Sequence, residues 1–321
     1  MKSKFFQRLV LLGMVFAPLF SEAFIFYDWN LKHLGRERFS TKNVASVLAD
    51  GDLIVIQEVN TTISGRTKLR ELRDAILAIP GNEKKKLCMG ISKKPSDGRE
   101  RYAMLWNQAE MVQVDEKGKE IECKDNEFIE LELTTDHKED IVREPAYVLL
   151  MEKRSKRIFM AATIHALPKG NGKTPEKEIP LIFESVNSEV KRIRAGLAEV
   201  PKAEHAAPEK KERAVVLPLN IAILAGDFNL SVRNKPFEKA KELGFEPVLS
   251  SGPKSSLSKS ERELANPYDN IFLKVVGKKV HVNNANVINL YKRFEKLEID
   301  TIYNTISDHC PVRMDVDFDP K

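Results

Sequence analysis

The stretch Ile221–Leu230 reads I-A-I-L-A-G-D-F-N-L. Five apolar residues closed by Gly226 describe a buried strand. Asp227 and Asn229 follow at once. They are two residues apart, so both can face one pocket as the chain leaves the strand. An aspartate offers a hard anionic oxygen to a divalent cation. An asparagine offers a neutral amide to a phosphate or a water. A strand closed by an ordinary Asx turn has the same letters, so the rest of the chain has to decide.

The same arrangement recurs on both sides of this stretch. Phe24–Trp29 (F-I-F-Y-D-W) ends at Asn30, Leu53–Gln57 (L-I-V-I-Q) stops at Glu58, and Ile158–Thr163 ends at Ile164-His165. Further strand patterns cover Ala103–Trp106, Phe128–Leu133, Ala146–Met151, Asp269–Val276 and Cys310–Phe318, the last preceded by Asp308-His309. Helical periodicity covers Thr41–Ala49, Thr67–Ile79, Glu178–Leu197 and Pro236–Leu243. Val112–Asn126 reads as a polar hairpin turning at Gly118. Pro201–Arg213 reads as an exposed loop, and Ser250–Ser260 as a Ser/Lys-rich loop. Many strands and about four helices predict an α/β protein with sheets packed on sheets and helices outside. No repeat or linker divides it, so a single domain over residues 24–321 is expected.

The polar residues at strand ends then form a set: Asn30, Glu58, His165, Asp227, Asn229, Asp269, Asp308 and His309. Carboxylates hold Mg²⁺ or Ca²⁺, and a histidine paired to a carboxylate acts as a general acid or base. A metal and an amide neutralise charge building on a phosphoryl group. Taken jointly, the set predicts metal-dependent phosphodiester hydrolysis. No Cys/His spacing suits zinc.

Eight short motifs run in order along the chain: W-N-L (Trp29–Leu31), Q-E-V (Gln57–Val59), E-R-Y (Glu100–Tyr102), R-E-P-A (Arg143–Ala146), I-H-A-L-P (Ile164–Pro168), G-D-F-N (Gly226–Asn229), Y-D-N-I (Tyr268–Ile271) and S-D-H (Ser307–His309). In these the chain resembles the endonuclease/exonuclease/phosphatase superfamily, and within it the deoxyribonuclease I branch, for which E-R-Y and R-E-P-A are typical. The resemblance implies a four-layer α/β sandwich of two central, mostly antiparallel sheets flanked by helices. It implies two histidine–carboxylate pairs, His309 with Asp269 and His165 with Glu100, one activating water and the other serving the leaving oxygen. It implies Glu58 as the main metal ligand with Asn30, Asp227 and Asp308 near the metal, and Mg²⁺ (or Ca²⁺ or Mn²⁺) as the ion. Asn229 would contact the scissile phosphate, Arg143 the phosphate or the bound strand, and Tyr102 the substrate backbone.

The chain begins with Lys2, Lys4 and Arg8, an apolar run Leu9–Phe20, and Ser21-Glu22-Ala23, the pattern of a secretory signal peptide covering residues 1–23. Three basic residues and one acidic residue would leave with it, taking the formal charge from +5 to +3. A mildly basic exported chain suits an anionic partner. Export also permits disulfides. Cys88 and Cys123 lie in one segment and are able to pair, Cys310 sits inside a motif, and three cysteines leave at least one thiol unpaired within a monomer. The family's small disulfide loop has no obvious counterpart. The expectation is a monomeric, secreted or periplasmic enzyme without stable membrane association that cuts DNA, or RNA as well, without sequence preference. The alternative on the same fold is a toxin-like or lipid-directed phosphoesterase.

Overall fold

The computed structural model describes residues 23–95, 97–169, 174–198, 219–277 and 279–318. The expected signal peptide ahead of Ala23 and the expected loop Pro201–Arg213 lie outside the described residues.

In chain order the strands and helices are β1 (Phe24–Leu34), α1 (Thr41–Leu48), β2 (Leu53–Asn60), α2 (Ile63–Leu77), β3 (Leu87–Ser92), β4 (Glu100–Asn107), β5 (Met111–Val114), β6 (Glu120–Ile121), β7 (Phe128–Leu133), β8 (Ala146–Glu152), β9 (Ile158–His165), α3 (Pro175–Ala198), β10 (Leu219–Asp227), α4 (Glu238–Glu242), β11 (Glu246–Pro247), β12 (Asp269–Val275), β13 (His281–Val287), α5 (Leu290–Arg293), α6 (Ile299–Thr301) and β14 (Val312–Asp317).

Hydrogen bonding runs without a break through β11-β12-β10-β9-β8-β7-β3-β4-β2-β1-β14-β13, with β5 and β6 attached at β8. The sequence led to an expectation of two separate sheets. The structure has one large, curled, mixed sheet instead, and β7 is the reason. Its first residues pair parallel with β3, from Met89↔Phe128 to Ser92↔Leu131, and its last two pair antiparallel with β8. A strand that changes neighbours along its length turns a corner. The parallel pairings β1–β2 and β9–β10 bring further mixed character to a sheet in which antiparallel neighbours are the majority.

The curl lets the two halves of the sheet face each other. Phe26, Val55, Met104 and Trp106 from one half pack with Phe159, Ile223 and Ile271 from the other, all buried. The strands alternate, so their other faces meet helices. Ala103 and Leu105 join Leu69, Leu72 and Ile76 of α2, while Ala162 and Leu224 join Ile182, Phe183 and Val186 of α3. No helix among the described residues is long and apolar enough to cross a membrane.

Two local details bear on the site and its stability. Cys88 and Cys123 form a disulfide with Cα atoms 5.9 Å apart, and Cys310 is a buried free thiol. The Ser/Lys-rich loop Ser250–Ser260 is buried at its centre. Ser255 is wholly buried, and the loop pairs with the segment before β14 through Cys310 N–H to Ser255 O and Leu257 N–H to Asp308 O, each 2.7 Å.

Candidate active site

Strand register assembles the site. His165 at the end of β9 lies beside Asp227 at the end of β10, and Asp227 lies beside Asp269 at the start of β12. Residues opposite one another on adjacent strands share a face, so these three project together. Across the fold, Asn30 of β1 pairs with Gln57 of β2, and Asn60 of β2 pairs with Glu100 of β4.

Two backbone features aim the side chains. Glu58 sits at φ +57°, where the β2–β4 register shifts between Ile56 and Val59. A bulge with a left-handed residue redirects a side chain at the end of a ladder, and such strain is held where the surroundings over-determine it. Asn229 is likewise left-handed at φ +48° and donates its backbone N–H to Asp227 Oδ1 at 2.9 Å. Gly226 is needed for close packing, since a Cβ there would lie 1.9 Å from the Ile164 carbonyl oxygen.

Two histidine–carboxylate pairs flank a shared carboxylate. His165 Nδ1 is 2.7 Å from Glu100 Oε1, and His309 Nδ1 is 2.8 Å from Asp269 Oδ2. Nδ1 of each ring is turned to its carboxylate, so Nε2 is the nitrogen that faces the centre of the site. The two Nε2 atoms converge on Asp227 Oδ2, at 3.7 Å from His165 and 3.5 Å from His309. Asn30 Nδ2 donates to Glu58 Oε1 at 2.9 Å and to Asp227 Oδ2 at 3.1 Å, tying the two halves of the site together.

The charges are mutually sustaining. Burial opposes protonation of His165, but the neighbouring Glu100 and Asp227 outweigh it and push its pKa up to about 9. Burial also opposes protonation of His309, yet Asp269 and Asp227 hold it well above the usual imidazole range. Asp227 is held below the usual carboxylate range in spite of burial by His309 and His165, and Glu58 in spite of burial by His165 and Asn30. Beneath the site the Gln57 amide donates to Asp28 Oδ1 at 2.7 Å and to Thr163 Oγ1 at 2.8 Å, and burial followed by Asp269 pushes Asp28 well above its usual range.

The donor set fits a hard divalent cation. Among the described residues Glu58, Glu100 and His165 form one cluster, and Asp227, Asp269 and His309 a second, with candidate ligand atoms within 4.8 Å of one another in each. Glu58 and Asp227, joined through Asn30, present carboxylate oxygens to the same space. Asp308 is in neither cluster. Its carboxylate is 3.2 Å from Lys32 Nζ, which balances its charge at the rim.

One expected substrate contact is corrected. Tyr102 is completely buried, and its hydroxyl accepts the His165 backbone N–H at 3.3 Å. Glu100 and Tyr102 are two apart on β4 and face inward together, so Tyr102 is walled in behind the histidine and does not reach a bound strand. Arg143 is also buried. Its Nε donates to Asp97 Oδ2 at 2.7 Å, and its Nη1 lies 3.2 Å from Glu100 Oε2 and 2.8 Å from His165 Nδ1, so it braces both members of that histidine–carboxylate pair.

Sequence reasoning missed three members of the site. Ser255 Oγ donates to Asp269 Oδ2 at 2.6 Å and accepts the Tyr268 and Asp269 N–H groups, fixing the carboxylate behind His309. Asp97 anchors Arg143. His33 donates its backbone N–H to Glu58 Oε2 at 3.1 Å, and its Nδ1 lies at the same distance from that oxygen. None of the three follows a long apolar run, the signal that exposed the others.

No family model and no curated protein matches the sequence. Solved structures do match. An endonuclease/exonuclease/phosphatase family protein of Bacteroides thetaiotaomicron is 15% identical, over 93% of this chain and 98% of that one, with a TM-score of 0.56. The chain has the endonuclease/exonuclease/phosphatase fold. The mannosyl-6-phosphatase Bt3783 of the same bacterium is 15% identical over 92% of this chain and all of that one, with a TM-score of 0.53. TDP2 of D. rerio, complexed with a single-strand DNA product, is 14% identical over 91% of this chain and 98% of that one, with a TM-score of 0.50. At these identities the likeness is one of fold.

Proposed function

We propose that this chain is a metal-dependent phosphodiesterase of the deoxyribonuclease I type, a single domain over residues 24–321 that cuts DNA after export. The observation that carries the reading is the convergence of two histidine Nε2 atoms, each backed by its own carboxylate, on Asp227. A hydrolytic displacement at phosphorus needs one group to take a proton from water and another to give one to the leaving oxygen. Two oriented imidazoles that meet at one carboxylate supply both, whichever of them takes each part, the base acting in its neutral form and the acid in its protonated form.

Glu58, Asp227 and Asn30 would hold the divalent ion, Mg²⁺ in our reading. When bound it stabilises negative charge on the phosphoryl oxygens. The chain's own residues do the rest. Asn30 fixes the spacing of the two carboxylates, and Glu100 and Asp269 fix the ring orientation of the histidines. Asn229 is anchored through Nδ2 to Ala166 O at 2.9 Å, which keeps its half-exposed amide at the mouth of the site for a phosphate oxygen. Export is supported by the basic and apolar pattern of residues 1–23 and by the Cys88–Cys123 bond, which suits an oxidising compartment.

The test incubates the purified chain from Phe24 onward with supercoiled plasmid and Mg²⁺, beside a chelator control and His309→Ala. Nicking that requires metal and His309 is the expected result. A folded, metal-loaded protein that leaves plasmid intact but releases phosphate from a phosphomonoester would replace this reading with a phosphatase.

A further inference from the structure

Beside the catalytic centre, α2 carries a line of arginines at helical spacing. Arg66, Arg70 and Arg73 are four and three residues apart, so they share one face of the helix. That face lies against the start of β7. The Arg66 and Arg70 guanidinium carbons sit 5.3 and 4.5 Å from the centre of the Phe128 ring, and Arg73 donates to Asn126 Oδ1 at 2.7 Å. Arg101 joins the line from β4. The inward residues of β4 pack in the core between the sheet halves, whereas Ala103 and Leu105 pack under the helices, so Arg101, in phase with them, faces α2.

The charges in this line are not balanced. Arg73 has Asp74 at 2.6 Å, and Arg154, Arg192 and Arg313 elsewhere on the surface each have a carboxylate within 4.0 Å. Among the described residues Arg66, Arg70 and Arg101 have none at that distance, and Glu130, the nearest carboxylate acting on Arg101, is paired with Lys93 at 2.9 Å. Arg101 Nε is buried without a hydrogen-bond partner. Burial and then Arg66 hold the Arg101 guanidinium below its ordinary range. Like charges four residues apart destabilise a helix, so the arrangement costs stability in the free protein and is relieved by an anion.

The line is joined rigidly to the catalytic centre. Arg101 follows Glu100 directly and pairs with Val59, the residue after Glu58. Gly65, one residue before Arg66, approaches the Asn60 carbonyl so closely that a Cβ would lie 2.1 Å from its oxygen. The start of α2 is thereby seated on the end of the strand that delivers Glu58. Ile63 protrudes at this junction, 83% exposed.

We infer that Arg66, Arg70 and Arg101 form a second phosphate-binding track, which holds the backbone of the bound DNA away from the scissile phosphate. The inference rests on the proposed function and deepens it. It makes the natural substrate a polymer with several phosphates and not a lone phosphoester. Guanidinium groups stacked on an aromatic ring are pre-oriented donors for phosphate oxygens. The track is independent of sequence, because it addresses phosphates alone.

The experiment measures binding of a fluorescent 20-base-pair duplex by anisotropy across a salt series, in the His309→Ala protein with Mg²⁺. Each duplex phosphate contact contributes about 0.9 to the slope of log affinity against log salt. Arg66→Gln/Arg70→Gln should lower that slope by about 2 and weaken binding on the order of tenfold or more at low salt. Adding Arg101→Gln should lower it by about one more. Arg66→Lys/Arg70→Lys, which keeps the charge, should restore most of the slope. An unchanged slope in the glutamine variants overturns the track, as does equal loss in the glutamine and lysine variants, which would mark a packing effect. Plasmid nicking by the wild-type chain with unaltered salt slopes would refute the track and leave the proposed function standing. A normal slope loss without any nicking would do the reverse.

Discussion

The proton on His165 gives the sharpest quantitative test of the site. Its pKa of about 9 in the folded protein compares with 6.5 for the free side chain. At about 1.36 kcal/mol per pKa unit, that difference corresponds to about 3 kcal/mol of folding stability. The direction follows from linkage. Between the two values the folded chain keeps a proton that the unfolded chain has released, so stability falls as pH rises. The contribution is fully present below about pH 6.5 and is lost as pH passes about 9. His165→Gln removes the titrating group while Glu100 and Asp227 stay in place. The assay is urea unfolding of both proteins in chelator, at about pH 6 and about pH 9.5, values that bracket the window. Chelator is needed because a cation on Glu58 and Asp227 would take over the role of the imidazolium charge. Wild type should exceed the variant by about 3 kcal/mol more at the lower pH than at the higher. A gap that does not change with pH would refute the claim that His165 is held protonated by its carboxylates.

Three further outcomes follow from the geometry. His309→Ala should lower phosphodiester turnover by about 10²–10⁴-fold with an unaltered far-UV spectrum; near-normal rates would remove His309 from the proton transfers. Glu58→Gln should shrink the rise in melting temperature that Mg²⁺ gives to the wild-type chain, because a ligand stabilises only in proportion to its affinity for the folded state; an undiminished rise would place the ion elsewhere. Breaking the Cys88–Cys123 bond, which closes a separation of 35 residues, with serine at both positions should cost about 3–4 kcal/mol in urea unfolding; an unchanged midpoint would show the bond to be absent in solution.

The centre of the site was legible because strands hand their polar residues to one end of the fold. Asn30, Glu58, His165 and Asp227 each follow an apolar run long enough to read, and Asp269 and His309 each lie beside one. The polar support was not legible. Ser255 stands in a serine-rich loop whose letters say solvent, and only the tertiary pairing with Cys310 and Asp269 buries it. Strand β13 was missed because H-V-N-N-A-N-V carries no apolar face, being a largely exposed strand at the end of the sheet. The joining of two expected sheets into one depends on β7 changing partners at Leu131–Glu132, which leaves no mark in a pattern that simply alternates. Tyr102 carries the lesson furthest. A motif names residues but not the faces they occupy, and on a strand the period of two decides the face. Glu100 must face inward to meet His165, so Tyr102 is carried inward with it and is lost to the substrate. By the same period Arg101, between them, is turned out toward α2. The orientation that disqualifies the tyrosine is what makes the neighbouring arginine available to an anion.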